Sequence, residues 1–305
     1  MYAYPVVFTA DMHLRDSKPK CRTDDFYEVQ MDKINQVLEI VDKQDAMWAD
    51  AGDFFHQARP SYKLIADILS SLTAFKQPVF TLCGNHDQPW HNMNKIQDSG
   101  IGVLHAAGAV VFLDENPVKY GPFKIYGCPY GGEVPEADKW YGMNILVYHG
   151  MVWPNRRSMI PGVEGILAKQ MLNSYPEYDI IVSGHNHQTF CTESKNRLLC
   201  NVGSLSRQTA DQIAHRPCVL IVQGKEGGGF EWRLEYLKVD ESAVSAQHLE
   251  EAAKKEEELN AFVEGLKNME EASLSFKDNV DRVVRQTKPD KDTIDKIMEA
   301  VYGAD

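Results

Sequence analysis

The sequence predicts a layered α/β domain with a helical extension behind it, and two observations carry that expectation. Through the first two thirds of the chain, short apolar runs rich in β-branched residues alternate with segments whose apolar residues recur at helical spacing. Beyond Asp240 the strand-like runs stop and the charge changes. Residues 241–305 hold sixteen acids and nine bases, so the last fifth of the chain carries −7 of a net charge of −12. The expected organisation is therefore a domain over 1–240 and a helical extension over 241–305.

Each element has its own signal. Buried strands are expected at residues 6–9, 46–49, 79–82, 145–148, 180–182 and 199–202, each a short apolar run. Phe26, Ile34, Val37, Leu38 and Val41 share one helix face, and Leu64, Ile65, Ile68, Leu69, Leu72 and Phe75 share another. After the glycine-rich stretch 224–229, Phe230, Trp232, Leu234 and Tyr236 alternate with Glu231, Arg233 and Glu235, which predicts a hairpin with one buried face. In the extension, Leu249, Ala253, Leu259, Phe262, Val263, Leu266 and Met269 follow helical spacing. Beyond a break at Lys288-Pro289, with 286–290 as linker, Ile294, Ile297, Met298 and Val301 do so again, and Gly303 is the expected stop.

Composition narrows the functional classes. With 305 residues, 43% hydrophobic and 25% charged, the chain can bury one large core or two smaller ones. A net charge of −12 argues against binding nucleic acid through a global basic field, so any polyanion must be held locally. There is no run of about 18 apolar residues to span a membrane. Thr9, Asp11 and His13 interrupt the N-terminus too early for a signal peptide. A cytoplasmic protein without membrane contact is expected. Its six cysteines form no CxxC pair, which reads as buried thiols in a reducing compartment.

The chemistry lies in the residues just beyond each run. Residues 6–9 lead into Asp11-Met12-His13, 46–49 into Gly52-Asp53, and 79–82 into Gly84-Asn85-His86-Asp87. Residues 145–148 lead into His149, and 180–182 into Gly184-His185-Asn186-His187. Ligands gather at the carboxyl edge of α/β sheets because the loops there converge on one crevice. Nitrogen and oxygen donors without cysteine suit manganese, iron, zinc or magnesium. Asp-x-His and His-x-His would place both side chains on one side of an extended segment. The glycines let the backbone crowd a metal. His105, His215 and His248 stand alone and read as ordinary surface or core residues.

Taken in order, Asp11-x-His13, Gly52-Asp53, Gly84-Asn85-His86-Asp87, His149 and Gly184-His185-Asn186-His187 resemble the signature of calcineurin-like metallophosphoesterases over roughly the first 220 residues. The stretch from Gly52 through His56-Gln57-Ala58-Arg59-Pro60-Ser61 resembles the second motif of SbcD-type nucleases, which pair with a coiled-coil ABC ATPase of SbcC type to process DNA ends. Ser/Thr phosphatases carry an acidic residue and Arg-Gly there, where this chain has His56-Gln57-Ala58. The resemblance implies a four-layer α/β/β/α sandwich with a C-terminal helical extension and two divalent metal ions, manganese first. Asp11, His13 and His187 would hold one metal, Asn85, His149 and His185 the other, and Asp53 would bridge. His86 would face the leaving oxygen, with Asp87 orienting its ring. A histidine at the place of His56 lies near the active site in such nucleases, although at a helix start it could equally cap or pack.

Substrate contacts are read from smaller signals. Trp153, Arg156 and Arg157 follow His149 and suit a base and phosphates, although adjacent arginines are often plain solvated charge. Arg207, in a Gly-Ser stretch resembling that of SbcD-like proteins, could reach a phosphate or pair with Asp211. The roughly 65 residues after the hairpin are too few for the full capping domain of such subunits. The reading is a metal-dependent DNA nuclease whose partners are DNA, the ATPase through the extension, and a second copy through the helix at 61–75. The rivals are a phosphodiesterase for a small nucleotide or other phosphoester, and a binding scaffold, which the intact ligand positions disfavour.

Overall fold

A computed structural model describes residues 4–75, 77–267 and 276–302. Its contacts divide the chain into two compact units, Met1–Val244 and Ser245–Asp305. In the first, the strands run β1 (Val6–Thr9), β2 (Met47–Asp50), β3 (Val79–Thr81), β4 (Val110–Phe112), β5 (Val118–Tyr120), β6 (Phe123–Cys128) and β7 (Met143–His149). They continue with β8 (Val152–Trp153), β9 (Ile166–Leu167), β10 (Ile180–Gly184), β11 (Phe190–Ser194), β12 (Arg197–Asn201), β13 (Cys218–Gly224) and β14 (Phe230–Tyr236). Helices α1 (Phe26–Gln44), α2 (Tyr62–Thr73), α3 (Gly100–Ala106) and α4 (Ala168–Ser174) lie between them.

Two six-stranded sheets result among the described residues, in the orders β14-β13-β1-β2-β3-β4 and β11-β12-β10-β7-β6-β5. Strand alternation assigns the layers. Val7, Trp48, Val79, Val110, Val219 and Ile221 meet Ile34, Val37, Leu64 and Ile68 of α1 and α2. Their neighbours Val6, Phe8, Met47, Ala49, Leu220 and Val222 instead meet Ile125, Ile145, Val147, Ile180, Val182 and Leu198 of the second sheet. Tyr126, Leu146, Ile181 and Leu199 point the other way, onto Ala168, Met171 and Leu172 of α4. Helix, sheet, sheet, helix is the expected four-layer sandwich, and a helical C-terminal extension follows it.

Local chemistry fixes the helix starts. The Asp25 side chain accepts the Glu28 amide to open α1, which closes on Asp45 in the left-handed region. Ser61 Oγ accepts the Leu64 amide at 3.1 Å to open α2. The apolar face of α2 is taken up at home: Leu64, Ile68 and Leu72 are buried in the core, with Ile65, Leu69 and Phe75 packed against it.

Several strands were hidden in the sequence. Strand β6 carries Lys124 at a buried position, where it reaches Asp138 at 3.3 Å and sits over the Trp140 ring, so a charge interrupts the apolar run. Edge strand β11 is half polar, and β4 and β5 have three residues each. Strand β2 sits one residue later than predicted and so takes in Asp50, whose buried carboxyl group accepts from Thr9 Oγ1 at 2.7 Å and Thr81 Oγ1 at 3.1 Å. The hairpin β13–β14 forms, but Tyr236 is half exposed, with the Arg216 guanidinium over its ring.

The second unit holds α5 (Gln247–Lys267), α6 (Phe276–Thr287) and α7 (Lys291–Tyr302). Phe262 of α5, Val280 and Val283 of α6, and Ile297 of α7 bury one another. Helix α6 was not anticipated, and it claims Gln286, leaving residues 288–290 as the connection to α7. Met269 and Gly303 lie outside the described residues, as do the side chains of His248, Leu266 and Val301. Among the described residues no helix is long and apolar enough to cross a membrane.

Candidate metal centre

The carboxyl ends of five strands deliver the anticipated residues. Strands β1, β2 and β3 are mutually parallel and run into Asp11 and His13, Asp53, and Asn85 and His86. In the second sheet β7 and β10 are parallel with His149 opposite Gly184, so His149, His185 and His187 emerge together. The two edges face one crevice.

Asp53 is the shared group. Its Oδ2 lies 3.5 Å from His13 Nε2 and 3.4 Å from His149 Nε2. Its Oδ1 accepts the His86 amide at 2.8 Å. On one side, Asp11, His13 and His187 hold donor atoms within 4.8 Å of one another, with the Nε2 atoms of His13 and His187 2.9 Å apart. On the other, Asp53, His149 and His185 do the same, and Asn85 Oδ1 lies 3.3 Å from His149 Nε2. All seven residues expected as ligands are brought together.

The backbone achieves this differently from the expectation. Asp11-x-His13 is not extended, because Asp11 and His13 have φ of 49° and 46°. Asp53 at 56° and His185 at 79° are also left-handed. Such a conformation costs on the order of 1–3 kcal/mol for a non-glycine residue and gathers where function over-determines the backbone. Lacing holds it here: the Asp11 amide donates to the Gly52 carbonyl at 3.0 Å and the His13 amide to the Asp53 carbonyl at 2.9 Å. Gly84 is required by crowding, since a Cβ there would fall 2.1 Å from Asp53 Oδ1.

Hydrogen bonds to carbonyls fix the ring orientations. His149 Nδ1 donates to the Ala51 carbonyl at 2.6 Å, which aims Nε2 at Asp53. His86 Nδ1 donates to the His56 carbonyl at 2.6 Å, and its ring lies 4.6 Å from that of His13, centroid to centroid. Asp87 does not orient His86. Its buried carboxylate accepts the amides of Phe54, Phe55 and Gly84 at 3.2, 3.1 and 3.0 Å, which clasps the loop after β2 to the loop after β3. His56 lies in that first loop, well before the Ser61 cap, so it caps no helix. Its ring stacks on His86 at 5.3 Å, and its donor atoms group with those of His13 and His86.

Burial sets the protonation of the rings. It holds His13 well below the ordinary imidazole range and lowers His56 and His185 to about 4, so their lone pairs are available. Burial opposes charge on Asp53 and His149 too, but mutual attraction overrides it. Asp53 stays below the usual carboxylate range and His149 rises to about 10. Imidazole nitrogens with carboxylate and amide oxygens, the His13 and His185 rings neutral and Asp53 ionised, form a donor set that fits divalent cations.

The anticipated substrate contacts fare unevenly. Trp153 is 4% exposed, because the β8–β9 ribbon folds its segment inward, and it offers no face to a base. Arg156 and Arg157 are exposed on a turn capped by Asn155. Arg207 does not pair with Asp211. It is buried, and its guanidinium donates to the carbonyls of Ile213 and Asp240. The sequence reading missed Tyr130, whose ring lies 5.6 Å from that of His185 and 6.3 Å from that of His149. It follows β6, the strand concealed by Lys124. With Tyr148, Met151, Met171, Tyr175 and Glu164 it lines a cleft of about 500 Å³ that also touches His149 and His185. His105 and His215 are structural, bonded to the carbonyls of Val110 and Ser204.

The calcineurin-like phosphoesterase family matches residues 4–189. No curated protein matches the chain. Among solved structures, an archaeal phosphodiesterase is similar at 15% identity and a TM-score of 0.40, covering 76% of this chain and 99% of its own. A proposed 5′-nucleotidase from Staphylococcus aureus is similar at 14% identity and a TM-score of 0.45, covering 81% of this chain and 58% of its own. The family match spans all five strand ends that build the centre, from Asp11 to His187. The chain therefore belongs to the calcineurin-like phosphoesterases and is a hydrolase of that metal-dependent class.

Proposed function

We propose that the chain is an SbcD-type DNA nuclease that hydrolyses phosphodiester bonds at a dinuclear centre. The observation that carries phosphoester hydrolysis is Asp53 Oδ2, one carboxylate oxygen set between His13 on one side and His149 on the other. In this reading Asp11, His13 and His187 hold one cation, Asn85, His149 and His185 the second, and Asp53 both. Bound divalent cations, manganese first and zinc, iron or magnesium after it, would polarise the phosphoryl group and supply a nucleophile at neutral pH. His86 is anchored through Nδ1 on the His56 carbonyl, so Nε2 is the atom that gives a proton to the leaving oxygen. His56 steadies that ring by stacking on it.

DNA is favoured as substrate by the resemblance of residues 52–61, by the exposed pair Arg156 and Arg157, and by the Tyr130 cleft, which suits a base flanking the cut phosphate. A second reading, a phosphodiesterase for a small nucleotide, draws on the same cleft: among the described residues its lining is uncharged apart from Glu164 and the histidines, so it suits a small, largely apolar group. The extension would engage a coiled-coil ATPase through the exposed Leu249, Leu259 and Val263 of α5. Cleavage of oligonucleotides with manganese, measured beside a chromogenic phosphodiester and a cyclic nucleotide, tests the assignment. Turnover of DNA well above both small esters is expected. Hydrolysis of the small esters alone would overturn the nuclease reading in favour of the second.

A further inference from the structure

Three basic side chains are buried together away from the centre. Arg22, Lys33 and Arg207 are 6%, 3% and 3% exposed, and all three border a cavity of about 220 Å³ whose walls include Val29, Pro217 and Val239. Buried charges are ordinarily paired, since the desolvation of each costs several kcal/mol. Arg22 is paired: its guanidinium grips Asp24 from two nitrogens and also donates to the Arg207 carbonyl at 3.1 Å. The other two are not. Among the described residues neither Lys33 nor Arg207 has a carboxylate within the 4.0 Å of an ion pair. Among the described residues Lys33 hydrogen-bonds only the Lys238 carbonyl, and the Arg207 guanidinium only the carbonyls of Ile213 and Asp240.

Most of their donor capacity is left over. An ammonium has three N–H groups and a guanidinium five, so these contacts use about one of three and two of five. The acids that border the cavity make their hydrogen bonds elsewhere. Asp24 is taken by Arg22, Asp32 accepts from Gln36, and Asp240 accepts from Ser242. Burial depresses both cations, and Arg22 adds repulsion to each, with Asp32 opposing at Lys33 and Asp240, Asp24 and Glu241 opposing at Arg207. Lys238, exposed at the rim, adds a further positive charge. Forked guanidinium donors beside an ammonium match the oxygens of a tetrahedral oxyanion.

We infer that the cavity bordered by Arg22, Lys33, Arg207 and Lys238 is a binding site for a phosphate group, either inorganic phosphate or the phosphate of a monoester. It is distinct from the metal centre, because none of the seven expected ligands lines it. The segment carrying Arg207 nonetheless reaches the centre: the Leu205 amide donates to the Asp11 carbonyl and Gln208 Nε2 to the carbonyls of Met12 and His13. Phosphate held by Arg207 would steady that segment.

Calorimetric titration of the full chain after chelator treatment, which removes metal-bound phosphate from consideration, tests the site with inorganic phosphate and with adenosine monophosphate. One phosphate per chain and a rise in melting temperature are expected. Lys33→Met should weaken binding at least tenfold while melting no lower than the parent in phosphate-free buffer, since it deletes an uncompensated buried charge. Lys238→Ala, at an exposed position that leaves folding intact, should weaken binding severalfold. Tighter binding of the monophosphate identifies a phosphomonoester as the ligand, and equal or weaker binding identifies free phosphate. No phosphate binding by the chelated parent, or unchanged affinity in Lys238→Ala and in a folded Lys33→Met, would overturn the inference.

Discussion

Asp53 and His86 are neighbours across one hydrogen bond, yet their replacement should have separable effects. Removing the Asp53 carboxylate takes away the oxygen between His13 and His149. Asp53→Asn should therefore lose bound metal and turnover together, with metal content read by mass spectrometry on the purified variant. Full metal content with full turnover would remove the shared-ligand role. His86 touches Asp53 through its backbone amide and the His56 carbonyl through its ring, so His86→Ala leaves the donor sets on both sides of Asp53 intact. It should keep its metals and lose roughly 10²- to 10⁴-fold in rate. Loss of one metal with the ring would assign His86 to binding instead. That these seven residues and His86 come together was legible in the sequence because each follows a short apolar run. The role of Asp87 was not, since its partners are backbone amides from two loops, and nothing in a side-chain pattern announces an amide.

Loops that carry the ligands are held by buried carboxyl groups at their bases. Asp87→Asn replaces an acceptor of three amides with a group that must point N–H at N–H, a mismatch worth about 1–3 kcal/mol. Denaturant unfolding of the metal-free variant should show that loss, and an unchanged midpoint would mean the clasp is dispensable. Asp50, at the end of β2, is kept protonated by burial, with its carboxyl raised to about 8. An acid whose folded pKa lies above its unfolded value holds its proton only in the folded state between the two. Its contribution therefore falls as pH climbs from about 4 to 8 and is level above that. Asp50→Asn should gain stability relative to the parent across that window. A difference that stays constant with pH would place the ionisation elsewhere. Helix faces were legible from periodicity and β1 from its unbroken apolar run, whereas β6 and α6 were masked by charge. Lys124 sits inside the former, and only two residues of the latter, Val280 and Val283, are buried.

Both sheets are needed to assemble the centre, and the first is finished late. The family match ends at residue 189, but β1 lies between β2 and β13, and Gln208 holds the carbonyls of Met12 and His13. A fragment of residues 1–189 should consequently lack a cooperative melting transition that 1–244 retains. Cooperative melting of the shorter piece would show that β13 and β14 are ornaments on a complete core. The pairing of Val6 with Val222 and Phe8 with Leu220 also has a consequence in time. At 5–20 residues per second, synthesis leaves roughly 10–40 s between the emergence of β1 and of its antiparallel partner. Through that interval a nascent chain can pair β1 with β2 but presents the other edge of an apolar strand to its surroundings. The interval during which that edge stays open is thus set by translation speed across the middle two hundred residues of the chain. Slowing the ribosome there should raise aggregation without altering a single native contact.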